Sequence, residues 1–129
     1  MSWVNDTLSE FGRRMGLERL DFGDHGVAQL AFQSGAVLAV EPVTRGEIAE
    51  VLVYLGRPLG FDAPRLTRRA LAKSHYKEAG VRDVQVATRG QGSEAMLYAL
   101  TRMPEREFTP QALDHAFDYL TRWHDSLSA

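Results

Sequence analysis

Residues 27–55 read VAQLAFQSGAVLAVEPVTRGEIAEVLVYL, and the fold class follows from their two-residue period. Over 27–33, Ala28, Leu30 and Phe32 fall on one side and Gln29 and Gln33 on the other, the alternation of a strand with one buried face. Ser34-Gly35 supplies a two-residue hairpin turn, because glycine reaches the backbone angles such turns require. Residues 36–41 and 48–55 read as a second and a third strand, separated by a turn around Pro42, Thr44 and Gly46.

On both sides of this stretch the period changes to that of a helix. Over 2–15, Ser2 caps a run in which Val4, Leu8, Phe11 and Met15 recur at helical spacing, and Gly16 ends it. Downstream, Gly56, Pro58 and Gly60 break the sheet, Pro64 suits a first helical turn, and the helix runs over 64–78 until Gly80. Val84 and Val86 alternate in a short fourth strand, Gly90-Gln91-Gly92 turns the chain, and 94–101 is a fifth strand. The last helix, 110–127, has the clearest start: Thr109 caps it, Pro110 takes its first position, and Phe108 is placed to pack on Leu113. Its apolar stripe is Leu113, Phe117, Leu120 and Leu127, widened by Ala112, Ala116 and Trp123. The order is α-β-β-β-α-β-β-α: an α+β fold with a single antiparallel β-sheet and three helices, forming one domain over residues 1–129.

The sheet carries more apolar surface than such a fold covers. The third strand sets Ile48 and Leu52 against Ala49, Val51, Val53 and Leu55, and the fifth sets Met96, Tyr98 and Leu100 against Ala95, Leu97 and Ala99. Both faces are apolar, and a leftover apolar face is expected to be buried by a second chain. Leu66, Leu71, Met96 and Tyr98 are the expected dimer interface.

Composition narrows the function. A chain of 129 residues buries roughly two-thirds of its surface in one core. Without cysteine there is no disulfide framework, no thiolate metal site and no cysteine nucleophile. The longest apolar runs are far shorter than the ~20 residues that cross a bilayer, and Asp6 and Glu10 stand where a signal peptide needs a basic flank. The expectation is a soluble, unexported, cytoplasmic protein without membrane insertion.

Charge is unevenly placed, with balances of −4 over 1–56, +5 over 57–77 and −3 over 78–129. Arg65, Arg68, Arg69, Lys73 and Lys77 lie on one face of the second helix. The choices there are a solvated face, a contact for an acidic partner, or a small nucleic-acid-binding module using 65–77. A net charge of −2 and the lack of interleaved aromatic residues weigh against the last.

The residues give no support to catalysis. The Gly90-Gln91-Gly92 turn lacks the lysine and hydroxyl of a phosphate loop and leads into a strand. His115 with Asp118, and His124 with Asp125, lack the third and fourth ligands of a metal site. No serine has a nucleophile-elbow context, so the expectation is no enzyme, no metal and no cofactor.

The element order, the small size and the absence of catalytic residues resemble class I type III secretion chaperones, the CesT/SycE-like group. Met1-Ser2-Trp3-Val4, the Gln33-Ser34-Gly35 hairpin followed by apolar residues and Glu41, and Leu113-Asp114-His115-Ala116-Phe117 are similar to segments of its SycN-like members. The resemblance covers both ends and the first hairpin, while 42–108 contributes element order alone. It implies a cytoplasmic chaperone that pairs with a YscB-like small chaperone and holds the N-terminal segment of a YopN-like secretion gatekeeper. A homodimeric chaperone of another effector is the alternative. The basic stretch 57–77 departs from the more acidic character of the group. Client contact is expected from the first helix and first strand, at Val4, Leu8, Phe11, Leu30 and Phe32, each of which has a competing reading as core.

Overall fold

The computed structural model describes residues 6, 7, 10, 11, 13, 21–22, 28–60, 63–73, 84–90 and 94–127. Within them run β1 (Asp21–Phe22), β2 (Ala28–Ala31), β3 (Val37–Arg45), β4 (Ile48–Pro58), α1 (Ala63–Lys73), β5 (Gln85–Arg89), β6 (Met96–Pro104) and α2 (Pro110–Leu127), with a 3-10 turn at Glu105–Glu107 before α2. The six strands form one sheet in the order β1-β2-β3-β4-β6-β5, and every neighbouring pair is antiparallel. The α+β class and the single antiparallel sheet therefore stand.

Two expectations are corrected. The sheet has six strands where five were expected, because Asp21 and Phe22 pair with Gln29 and Ala28. Among the described residues two helices are counted where three were expected. Asp6, Thr7, Glu10, Phe11 and Arg13 have helical backbone, but the rest of the expected 2–15 helix lies outside the described residues. Residues 74–78 of the expected second helix also lie outside them.

Strand lengths differ from the sequence reading because cross-strand partners override local breakers. β3 continues through Pro42 to Arg45, paired with β4 along its whole length, while among the described residues β2 pairs with it only as far as Val40, so Pro42 lies beyond that pairing, where a proline is tolerated. The hairpin is then closed by Gly46-Glu47, with Gly46 at φ +60, as the first central position of a two-residue turn of type II′ requires. The β2–β3 turn takes three residues instead of two: Phe32 N–H donates to Ala36 O at 2.9 Å, Gly35 N–H donates to Phe32 O at 3.0 Å, and Gly35 has φ +92. β4 runs through Gly56 to Pro58 because Tyr98, directly opposite, lays its ring where a Cβ would stand, 2.5 Å from that position. β6 starts at Met96 and extends to Pro104, later than expected at both ends.

One face of the sheet is covered. Leu38, Val40, Val51, Val53, Leu55, Leu97, Ala99 and Met103 share a side by register and are buried. Leu113, Ala116, Leu120, Trp123 and Leu127 of α2 pack into the same core with Phe11 and Phe108. At the start of α2, Thr109 Oγ1 accepts from Ala112 N–H at 3.0 Å. Replacing Thr109 by Ala should cost about 1 kcal/mol of stability, measured as a lowered urea midpoint with unchanged slope.

Candidate functional site

The register assigns every sheet residue to one of two faces. Val37, Gly56, Tyr98 and Ala87 share the second face, as do Ala39, Tyr54, Leu100 and Gln85, then Glu41, Leu52 and Arg102. α1 and α2 both belong to the first face: Leu66 of α1 meets Leu97, His124 and Leu127 in a small pocket beside Arg57, on the covered side. Along β6 the exposure alternates strictly, with Leu97, Ala99, Thr101 and Met103 buried and Met96, Tyr98, Leu100 and Arg102 half-buried. The same alternation along β4 leaves Leu52 and Tyr54 half-buried beside Val51, Val53 and Leu55. The second face is thus an apolar strip of Val37, Leu52, Tyr54, Met96, Tyr98 and Leu100 that none of the described helices covers.

Polar groups border this strip at one end. Tyr54 Oη donates to the Glu41 carboxylate, and burial with this hydrogen bond pushes the Tyr54 hydroxyl up to about 12. Arg45 donates to Glu50 at 2.8 Å, and Arg102 stands 3.8 Å from the same carboxylate while donating to Gln85 at 2.9 Å. Exposed ion pairs of this kind stabilise little, so their effect is to fix the rim around the strip. Beyond them, an open groove of about 840 Å³ lies between the β3–β4 turn and the end of β6, lined by Glu47, Ile48, Ala49, Glu50, Pro104, Glu105 and Arg106. Ile48 there is 60% exposed.

On the covered face His124 is buried with Nε2 2.8 Å from Leu55 O. Burial lowers its pKa below the ordinary 6.5, opposed by that hydrogen bond; neighbouring Arg57 lowers it further and Asp125 raises it. Arg57 in turn donates to Asp125 at 2.6 Å, tying β4 to α2. A base held neutral in the fold is protonated more readily when unfolded, so this group's stabilisation is present above pH 6.5 and lost as the pH falls below it. His124→Gln keeps a donor without the titration, and its unfolding midpoint should lose that part of the acid sensitivity, read by urea titrations at pH 5 and 7.5. Among the described residues the two shifted groups lie on opposite faces of the sheet, and burial is the main cause of each shift. Among the described residues no group of three His, Asp or Glu side chains is placed to hold a metal ion, and no helix is long and apolar enough to cross a membrane.

The nominated client residues separate. Phe11 is fully buried and Leu30 is 6% exposed, so both are core residues in this chain. Phe32 is half-buried at the rim, stacked on Phe117 with ring centroids 5.7 Å apart, while Phe11 meets the same ring edge-on at 6.0 Å. Val4 and Leu8 lie outside the described residues. Of the nominated interface residues, Leu66 is half-buried against the core, Leu71 is 58% exposed, and Met96 and Tyr98 stand on the uncovered strip. Sequence reasoning missed Val37 and Tyr54 as parts of that strip. Tyr54 shares the two-residue period of Leu52, whereas Val37 joins the strip only through pairing, which sets it opposite Gly56 and, one strand further, in line with Tyr98.

No protein-family model matches the sequence, and no curated protein matches it significantly. Solved structures do. A chain in the crystal structure of the Yersinia pestis type III secretion chaperone SycH in complex with a stable fragment of YscM2 is 13% identical, with a TM-score of 0.62 over 96% of this chain and 98% of that one. A chain of the HopA1–SchA chaperone–effector complex is 15% identical, with a TM-score of 0.58 over 95% and 91%. A chain of the ExsC–ExsE complex is 20% identical, with a TM-score of 0.67 over 95% and 89%. The fold is thus similar to that of type III secretion chaperone structures over 95–96% of the chain.

Proposed function

We propose that this chain is a cytoplasmic type III secretion chaperone, acting by binding and without catalysis. The observation that carries this reading is a strip of half-buried apolar side chains that none of the described helices covers, on a fold that matches such structures over nearly its whole length. SycH is described in complex with a fragment of YscM2, and SchA in a chaperone–effector complex. By the same logic this chain holds a secreted protein. An extended client needs area and a sheet edge instead of reactive groups, since backbone hydrogen bonds supply affinity and alternate side chains enter pockets.

The finer reading rests on the sequence resemblance to SycN-like members. It makes the partner a YscB-like small chaperone and the client the N-terminal segment of a YopN-like gatekeeper. The strip around Met96 and Tyr98 is the pairing surface, and Phe32 with the hairpin rim is the client contact. Co-expression with the products of neighbouring small open reading frames, followed by mass measurement of the purified complex, tests it. A one-to-one heterodimer is expected. A strictly monomeric chain at high concentration, with and without those products, contradicts it.

A further inference from the structure

His124 stands where three elements of the covered face meet. Its side chain is buried, with Nε2 2.8 Å from Leu55 O, so it ties α2 to the backbone of β4. A carbonyl oxygen only accepts, so Nε2 carries the proton of the neutral ring and Nδ1 is the atom that a second proton would take. The ring also lines the small pocket, about 60 Å³ in volume, that it shares with Leu66 of α1, Leu97 of β6 and Leu127 of α2.

The surroundings favour the neutral ring. β4 brings Arg57 to it, α2 brings Asp125, and β6 brings Leu97, which carries no charge. Asp125 is the one carboxylate acting on the ring among the described residues, and Arg57 already donates to it at 2.6 Å. α1 contributes Leu66 and no carboxylate, since its ionisable side chains, Arg65, Arg68, Arg69 and Lys73, are all cationic. An imidazolium here must therefore reach water, because a buried charge without a partner of its own is costly. Of the elements around the pocket, α1 is held least. It buries Ala70 fully and Leu66 and Ala63 in part, whereas α2 buries Leu113, Ala116, Leu120, Trp123 and Leu127 besides His124, and β4 is paired on both sides. Local opening begins at the element with the least buried apolar surface.

We propose that protonation of His124 unseats α1 from the sheet, making this junction an acid-operated latch that is closed at neutral pH and opens locally as the pH falls toward 5. Moving Leu66 out of the pocket admits water to the imidazolium while α2 and the sheet stay in place. The sign follows from linkage. A released His124 titrates near the ordinary 6.5 and the seated one below it, so the open form binds the proton more tightly and gains population as the pH drops through 6.5. The latch belongs to the chain itself and does not depend on which client is bound.

Hydrogen–deuterium exchange of the full-length chain, read by mass spectrometry at pH 7.5 and 5.0 with labelling times scaled to the intrinsic exchange rate, measures the opening of α1. A free imidazole of pKa 6.5 sets a ceiling of about thirtyfold between these two conditions, and α1 should open roughly tenfold more often at pH 5.0. Amides of 51–55 in β4 should stay protected well beyond those of α1. His124→Gln keeps a donor for Leu55 O without the titration and should abolish the α1 response. Arg57→Gln removes the competing cation and frees Asp125 for the imidazolium, so it should shrink the response, and it provides the test where His124→Gln does not fold. Equal opening of α1 at both pH values overturns the proposal. So does a response that survives His124→Gln or is unchanged by Arg57→Gln. Exchange of α1 and β4 in step at pH 5.0 overturns it too, because the opening would then be global unfolding instead of a latch.

Discussion

Replacing Phe11 by Asp is expected to unfold the protein, whereas Phe32→Asp should leave it folded and impair client retention. Phe11 has no exposed surface and its ring edge meets Phe117. Removing a buried phenylalanine costs about 3–5 kcal/mol, and a carboxylate left unpaired in its place adds desolvation. Against a total stability of about 5–15 kcal/mol, that loss leaves little native protein. Phe32 also stacks on Phe117 but is only partly buried, so a carboxylate there reaches water and the loss is of order 1–2 kcal/mol. Circular dichroism and urea unfolding read the first effect, and co-purification of a gatekeeper's N-terminal segment reads the second. A folded Phe11→Asp variant would contradict the core assignment. A folded Phe32→Asp variant that keeps its client would move the client surface elsewhere.

The second large effect concerns the uncovered strip. Met96→Asp and Leu100→Asp should each fold, because their positions are only partly buried in the single chain. Each should weaken association with a partner chain by tenfold to a hundredfold, about 1.4–2.8 kcal/mol, as expected for an apolar anchor of an interface replaced by a charge. Leu97→Asp is the contrast: one residue away and on the covered face, it should unfold the protein instead. Analytical ultracentrifugation of the folded variants separates the two classes. Equal association by wild type, Met96→Asp and Leu100→Asp would show that the strip is not an interface.

Local signals carried the parts of this fold whose causes are local. Thr109 and Pro110 specify the start of α2 to the residue, because a cap and a first-turn proline act within four positions. The alternation in 27–33 likewise places β2, and the short apolar runs bounded by turn residues place β3 and β6. What the chain alone does not reveal depends on distant partners. Asp21–Phe22 is a strand only because Gln29 and Ala28 pair with it. Gly56 and Pro58 look like breakers until Tyr98 and Met96 are set opposite them. The surplus of apolar surface was legible, but which face α2 covers was not, because both faces of β4 and β6 are apolar. For the same reason Phe11, Leu30 and Phe32 carry equal weight in sequence, and only packing separates two core residues from one at the rim.

The most direct test of the proposed function is whether the chain, co-expressed with a YscB-like small chaperone, holds the N-terminal segment of a YopN-like gatekeeper in extended form. Native mass spectrometry combined with limited proteolysis measures stoichiometry and protection together. The account predicts one copy each of chain, partner and client segment, with the segment protected only in the complex and lost when Met96 and Leu100 are changed to Asp. A chain that stays alone under these conditions, leaving the segment fully cleaved, would contradict it.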